Sequence, residues 1–281
     1  MRTAITTGLH CTRRAATALC ASVFMIVLMA ASGSADAAGC AFEAQGEGHV
    51  AGVIDARTFR LADGREIRLA GIEPVVPEKA TANRASALAA ILAGRDVTLH
   101  GDDDTPDRYG REPAFVFLNS SGTPPAEAPP AETLVQAELL AQGEALVSAT
   151  VTDRACAAVL MAAEATAREA KLGIWADPTV IKNTESPGDI LAGIGRFTMV
   201  EGKVLSVRQA GATTYLNFGR NWTQDFAVTI PKRMIPVFEG AGIVLKSLEN
   251  RRIRVRGWIE ARGGPRIEAL RVGQIEVLGG N

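Results

Sequence analysis

The sequence predicts a mainly β protein with a few helices, divided into two domains. Residues 53–73 alternate apolar and polar side chains on either side of an Asp-Gly pair, which indicates a β-hairpin. Three segments between residues 83 and 171 have the composition or the periodicity of helices. Beyond residue 195 the pattern changes to five strand-like runs, with one short helix before the fourth. This order predicts a small OB-like β-barrel as the second domain.

The first 37 residues have the character of an export signal. Arg2, Arg13 and Arg14 precede the apolar run Ala15–Ala31, and Ala35–Ala37 provides small residues at a cleavage site. We therefore expect an exported protein, periplasmic or extracellular, with no membrane span after signal removal. A membrane anchor is the alternative, although the run is shorter than the ~20 apolar residues that a span needs.

Two cysteines, Cys40 and Cys156, lie beyond the predicted signal. Because an even pair of cysteines in an oxidising compartment usually bonds, we expect a disulfide between them. The Ala-Ala-Gly-Cys run that ends at Cys40 leaves lipidation of that cysteine open. Only His49 and His100 remain as histidines, so the pattern argues against a His/Cys zinc site.

Charge divides the mature chain unevenly. Residues 38–195 contain 13 Lys+Arg and 23 Asp+Glu, a net charge of −10, whereas residues 196–281 contain 14 and 7, a net charge of +7. We predict a first domain at 38–176, a Pro- and Gly-rich linker at 177–195 and a basic β-barrel domain at 196–281. The basic domain is the part whose charge suits a polyanion.

The first domain is predicted to contain three helices, and glycines mark their ends. The helices are Asn83–Leu92, Thr133–Gln142 and Asp153–Lys171. The third has an apolar stripe at helical spacing, formed by Cys156, Val159, Leu160, Ala163, Ala167 and Ala170. We interpret Asp102–Asp104 as a solvated loop and Ser120–Glu132 as a surface insertion.

The second domain shows five strand-like runs. They are Phe197–Val207, Thr213–Phe218, Phe226–Ile230, Ile253–Ile259 and Arg266–Leu278. Pro231–Phe238 indicates the short helix, and Arg262–Pro265 a tight hairpin turn.

The order of motifs in the first domain resembles the staphylococcal-nuclease (thermonuclease) family. The hairpin ends in Arg68-Leu-Ala-Gly-Ile-Glu73, the segment Asp107–Arg111 reads D-R-Y-G-R, and the third helix is followed by Gly173-Ile-Trp175. The resemblance covers about Gly46 to Trp175. It implies a five-stranded OB-fold barrel with three helices. It also implies calcium-assisted attack on a phosphodiester, in which two aspartates hold the ion, a glutamate activates water and two arginines stabilise the phosphate.

This sequence contains only some of the functional residues that the family pattern calls for. Arg68 and Arg111 match the two catalytic arginines. Arg57 stands at the position of the first ligand aspartate. Glu73 stands at the position of the second, with a side chain one methylene longer, and it is both the candidate metal ligand and one of the catalytic candidates. Val76 takes the place of the catalytic glutamate, and Glu78 follows two residues later.

These replacements leave two interpretations of Arg57. It converges with Arg68 and Arg111 on an anion site, where guanidinium groups bind phosphate without a metal. Alternatively, Arg57 turns outward or pairs with Glu73 as a structural bridge.

The second domain contains a block that reads L-N-F-G at residues 216–219 and ends in D-F at 225–226. It resembles a block that often follows thermonuclease-like domains in secreted bacterial proteins. Aromatic and basic residues of this domain suggest a stacking platform for single-stranded nucleic acid, and the candidates are Tyr215, Trp222, Arg252, Arg254, Arg256 and Trp258. The alternative is that the aromatic residues belong to the core.

We therefore expect an exported thermonuclease-like protein that binds nucleic acid or another phosphate-bearing anion. Its phosphodiesterase activity is expected to be weak or lost, and no cofactor is expected unless the protein is a calcium-dependent nuclease. One alternative is an active calcium nuclease that uses Glu73 and Glu78. Another is a structural protein of the cell envelope. The sequence does not choose between DNA and RNA or give the oligomeric state.

Overall fold

The computed structural model of the chain describes residues 40, 42–74, 82–101, 105–119 and 133–279. The predicted export signal, the acidic run at 102–104, the insertion at 120–132, and Val76 and Glu78 lie outside these residues. All described residues fall in one compact unit.

The described part of the first domain contains eight strands. They are β1 (Glu43–Asp55), β2 (Thr58–Leu61), β3 (Glu66–Leu69), β4 (Ile72–Glu73), β5 (Asp96–Gly101), β6 (Arg111–Leu118), β7 (Thr133–Leu134) and β8 (Leu146–Val147). β1 pairs with both β2 and β5, β2 pairs with β3, and β6 pairs with β5, all antiparallel. β3 pairs with β6 in parallel, which closes the five strands into a barrel. This closed order is the predicted OB-fold.

The hairpin of β2 and β3 forms as predicted because its apolar residues alternate. Phe59 lies opposite Ile67, and both side chains are fully buried in the barrel. Gly64 makes the turn with a φ of 96°, a conformation that a side chain disfavours. Arg68 lies opposite Thr58, and the two follow Ile67 and precede Phe59, respectively, along their strands. Because side chains alternate along a strand, both point to the other face of the sheet.

Three helices pack on the barrel. They are α1 (Ala82–Leu92), α2 (Val135–Ala141) and α3 (Arg154–Glu169). The Asp153 side chain caps α3 by accepting a hydrogen bond from the Cys156 backbone N–H at 2.7 Å. The predicted stripe of α3 is buried at four of its positions, Cys156, Leu160, Ala163 and Ala167. Glu164 is also buried, which the stripe did not predict.

Cys40 and Cys156 form the predicted disulfide, which joins the start of the described chain to α3. Their Cα atoms are 4.2 Å apart, and 116 residues of sequence separate them. Both half-cystines are buried in the core of the first domain.

The second domain contains nine strands and two short helices. They are β9 (Ile181–Asn183), α4 (Pro187–Leu191), β10 (Phe197–Lys203), β11 (Ser206–Ala210), β12 (Thr213–Asn217), β13 (Ala227–Pro231), α5 (Ile235–Gly240), β14 (Arg252–Trp258), β15 (Glu260–Arg262), β16 (Gly264–Glu268) and β17 (Ile275–Val277). One sheet has the order β11-β12-β13-β16-β15, and the other has the order β17-β14-β10-β9.

The connectivity of the second domain follows that of the first, except that β14 and β16, the counterparts of the paired strands β5 and β6, lie in different sheets. β11, β12 and β13 are successive antiparallel neighbours, β13 pairs in parallel with β16, and β14 returns antiparallel to β10. α5 precedes β14, just as α1 precedes β5 in the first domain. This arrangement agrees with the predicted OB-like barrel.

The segment predicted as a linker is structured. β9 pairs in parallel with β10, and the buried Ile190 of α4 belongs to the core of the second domain. A small shared core also joins the two domains, because Trp175 of the first packs in one cluster with Met199 of β10. The Pro- and Gly-rich composition therefore marks short elements with tight turns and not a free connection.

Among the described residues, no helix is long and apolar enough to cross a membrane.

Candidate functional site

The candidate site lies on the barrel where β3, β4 and β6 meet. Arg57 lies in the turn between β1 and β2, and its backbone N–H donates to the Asp55 carboxylate at 2.9 Å. Arg68 lies on β3, Glu73 on β4 and Arg111 at the first position of β6. Because β3 and β6 are parallel neighbours, they bring Arg68 and Arg111 to the same region of the barrel.

Glu73 is the central carboxylate of this site. It forms an ion pair with Arg57, and its Oε1 atom lies 3.7 Å from Nη2 of Arg68. Burial raises the pKa of the Glu73 carboxyl group, and the guanidinium groups of Arg57 and Arg68 act in the opposite direction. The guanidinium group of Arg57 is therefore paired with Oε2 of Glu73, an oxygen that a metal ion at this position would need as a ligand.

A second carboxylate, Asp107, holds Arg111. Both Nε and Nη2 of Arg111 donate to Oδ2 of Asp107, at 2.9 and 2.7 Å. The backbone N–H groups of Tyr109 and Arg111 donate to Oδ1. Together these bonds lower the pKa of Asp107 to about 2, with the side-chain bond from Arg111 contributing most. Asp107 is therefore ionised at neutral pH, and it fixes the direction of Arg111.

Arg68 is held less tightly than its two neighbours. Its Nη1 atom is 3.8 Å from Asp107, so both of its charge contacts are longer than hydrogen bonds. Its buried Nε atom has no hydrogen-bond partner within the described part of the chain. The exposed Nη groups of Arg68 thus retain N–H donors for an incoming anion.

Tyr109 stands beside the site, a feature that the sequence analysis did not single out. Tyr109 is 64% exposed, and the guanidinium carbons of Arg108 and Arg111 lie 4.7 and 5.0 Å from its ring centroid. Its position inside the D-R-Y-G-R motif was the only available signal. The ring adds a flat aromatic surface next to the arginines.

The oxygen donors that the structure describes at this site do not fit a calcium ion. Calcium requires several oxygen ligands around one point, whereas Glu73 is paired with Arg57 and Asp107 is hydrogen-bonded to Arg111. Across the described ranges, no three His, Cys, Asp or Glu side chains are grouped so that they could hold a metal ion. Among the described residues, the carboxylates of this site are paired with guanidinium groups of the chain.

The arginine stripe of β14 does not form the predicted nucleic-acid surface. Arg252 and Arg254 both contact Glu201 of β10, at 2.9 and 3.1 Å, and Arg254 also contacts Glu276 of β17. Arg256 is 1% exposed and pairs with Glu164 of α3. The three arginines do share one strand face, as their spacing predicts, but carboxylates and the first domain cover much of that face.

The three aromatic candidates of the second domain lie in different places. Tyr215 is half-buried on β12, and Trp222 is 77% exposed in the loop between β12 and β13. Trp258, 50% exposed, lies at the end of β14 on the other sheet, with its ring 6.0 Å from that of Phe197. The structure therefore does not assemble these residues and the β14 arginines into one platform.

Comparison with known proteins agrees with this fold. The model of the family described as staphylococcal nuclease homologue matches residues 66–177. The chain is also 32% identical over 139 residues to Protein ParB of Escherichia coli, and this alignment covers 48% of the chain and 75% of the relative. The chain belongs to the staphylococcal nuclease homologue family. The matched range includes Arg68, Glu73 and Arg111, whereas the turn that carries Arg57 precedes it.

Proposed function

We propose that the protein is exported and binds a phosphate-bearing anion, nucleic acid in the first place, at Arg68 with Arg57 and Arg111. We propose further that its hydrolysis of phosphodiesters is weak or lost. The observation that carries the proposal is the ion pair between Arg57 and Glu73, at the position where the family resemblance calls for a metal ligand.

The arginines can recognise a phosphate without a metal ion. Guanidinium groups donate two parallel hydrogen bonds to phosphate oxygens and stay charged at every physiological pH. Glu73 and Asp107 hold Arg57 and Arg111 in place, so little side-chain entropy is lost when an anion arrives. Arg68, with its unused donors and a side chain 30% exposed, is the residue that would contact the phosphate first.

The same arrangement disfavours catalysis. A general base contributes typically 10²–10⁴-fold to a rate, and a metal ion several kcal/mol, where each ~1.36 kcal/mol is tenfold. Val76 supplies no base at the position of the catalytic glutamate. The guanidinium group of Arg57 also repels a cation from Glu73.

The disulfide supports the proposal of export. A bond between Cys40 and Cys156 persists in an oxidising compartment such as the periplasm or the cell exterior.

The proposed function is tested by incubating the mature protein with labelled DNA and RNA, in calcium or in chelator. We expect binding that weakens with salt, no calcium-dependent cleavage, and a large loss of binding in the Arg68→Ala variant. Arg60→Ala is the matched control, because Arg60 lies on the neighbouring strand and is exposed.

Two other outcomes would replace the proposal. Calcium-dependent cleavage that Arg68→Ala and Arg111→Ala both abolish would show a nuclease that uses Glu73 and Glu78. Neither binding nor cleavage would favour a structural role in the cell envelope.

A further inference from the structure

The loop between β12 and β13, residues 218–226, presents a tryptophan to solvent. Trp222 is 77% exposed, whereas Phe218 and Phe226 at the two ends of the loop are buried with their ring centroids 5.2 Å apart. The ends of the loop are thus anchored in the core, and its middle extends into water.

The middle of the loop is also fixed by hydrogen bonds. The Asn221 backbone N–H donates to the Asp225 carboxylate at 2.7 Å, and the Asn221 side-chain oxygen accepts from the backbone N–H and the hydroxyl of Thr223. A side chain at Gly219 would place its Cβ 2.0 Å from the Asp225 carboxylate, so only glycine fits there. These contacts explain the spacing of the L-N-F-G and D-F residues, because together they build a rigid support for Trp222.

The Trp222 ring lies beside the β15–β16 turn. A Cβ atom built on Gly263 would be 3.6 Å from the Trp222 ring, and this glycine makes the turn with a φ of 86°. The ring therefore contacts the protein on one side and leaves most of its surface free for a ligand.

Exposed cations lie close to Trp222 in the chain and elsewhere on the same sheet. Arg220 belongs to the same loop, Arg262 immediately precedes Gly263, and both are exposed. Arg208 is exposed on β11, where it pairs directly with Tyr215 on the outer face of the sheet. Within the described ranges, no carboxylate lies at ion-pair distance from any of these three arginines.

We propose that the second domain binds single-stranded nucleic acid at Trp222 with its neighbours Arg220 and Arg262, and that the strand extends across the same sheet to Tyr215 and Arg208. A base stacks on Trp222, and the arginines contact the phosphates on either side of it. A single strand is favoured over a duplex because paired bases do not offer their faces to a side chain. The surface is distinct from the Arg68 site of the first domain, so the variants below are compared in the Arg68→Ala background, where binding that remains belongs to the second domain.

The test uses the full mature protein and a fluorescein-labelled oligothymidylate of about 12 nucleotides, a length within the range that one OB-fold covers. Binding is followed by anisotropy across a series of salt concentrations, with an unlabelled duplex as competitor. We expect Trp222→Ala to weaken binding by about 5- to 150-fold without changing the salt slope. Trp222→Phe should retain most of the affinity.

The arginines should affect the salt dependence. If each of the three neutralises one phosphate, replacing Arg208, Arg220 and Arg262 by alanine should flatten the log–log slope by about 2. A matched triple variant replaces Arg196, Lys203 and Arg251, which are also exposed but lie in or next to strands β10 and β14 of the other sheet. That variant should change the slope much less. Trp258→Ala is the control for the tryptophan.

Specific results would overturn the proposal. They are the absence of single-strand binding at low salt, equal effects of the two triple variants, or an unchanged affinity in Trp222→Ala with its native circular dichroism spectrum. A loss of binding in Arg68→Ala but not in Trp222→Ala would overturn this proposal and leave the first-domain proposal standing.

Discussion

Arg256 and Glu164 form a bidentate ion pair buried between the two domains. Nη1 and Nη2 of Arg256 each lie 2.9 Å from an oxygen of Glu164, and both side chains are almost completely excluded from solvent. The same pair holds a strand of the first domain, because Arg256 donates to the Val147 carbonyl and Glu164 accepts from the Val147 N–H. Arg256 of the second domain thus satisfies buried polar groups of the first domain.

This ion pair is connected to the candidate site through the backbone. Val147 lies on β8, which pairs with β4, and the register places Leu146 opposite Glu73. The second domain therefore supports the strand that positions the central carboxylate of the first domain.

The first prediction is that Arg256→Met destabilises the protein by about 3–5 kcal/mol, because it leaves Glu164 as a buried charge without its main partner. Arg252→Met is the control, since Arg252 is half-exposed and its pair with Glu201 is expected to contribute about 0–1 kcal/mol. Urea denaturation of the two variants provides the measurement. A loss below about 1 kcal/mol for Arg256→Met would contradict the assigned role.

Local patterns predicted the barrels but not this interface. The alternation around Phe59 and Ile67 fixed the face of each strand, because a shift of one residue would expose the core. The spacing of the arginines likewise placed Arg256 correctly on a strand face. The group that covers this face could not be predicted locally, because Glu164, the partner of Arg256, lies 92 residues away in the sequence.

In the candidate site too, sequence motifs predicted which residues are present but not all of the contacts between them. Family motifs located Arg68, Glu73 and Arg111, and they also identified the replacement at Arg57. The pairing of Arg111 with Asp107 and the exposure of Tyr109 required coordinates, because both depend on how the D-R-Y-G-R turn folds. Composition alone also could not reveal that residues 181–191 pair with and pack on the second domain.

The second prediction concerns the disulfide between Cys40 and Cys156. Closing a loop across 116 residues should stabilise the mature protein by about 4–5 kcal/mol in the chain-entropy model. A Cys40→Ser, Cys156→Ser double variant should therefore have a lower urea midpoint than the oxidised protein. Mass spectrometry without reductant should find no free thiol at either position, and two free thiols would refute the bond.

The third prediction is that Asp107 stabilises the folded protein at neutral pH and that this stabilisation is lost in acid. Its pKa is lowered to about 2 in the folded protein, whereas the ordinary value is 3.8. The unfolded chain therefore binds the proton more readily, so the stabilisation is complete above about pH 5 and is lost as the pH falls through 2. The melting temperature of Asp107→Asn should be lower than that of the wild type at pH 7, and the difference should shrink near pH 2. An equal difference at both pH values would show that Asp107 acts by packing alone.

The last prediction is that Arg57 is what prevents calcium from stabilising this protein. In the wild type, the guanidinium group of Arg57 is paired with Glu73, so millimolar calcium should leave the melting temperature unchanged relative to chelator. Arg57→Asp replaces that cation with a carboxylate and releases Glu73, which creates two oxygen donors for the ion. If calcium reaches 100 times its dissociation constant, it should stabilise the variant by about 2.7 kcal/mol, a readout that requires no activity. Arg60→Asp introduces the same charge change on the exposed face of β2 and should not respond to calcium. A calcium-dependent rise in the melting temperature of the wild type would contradict the prediction, and an equal response of Arg57→Asp and Arg60→Asp would show general charge screening in place of a site.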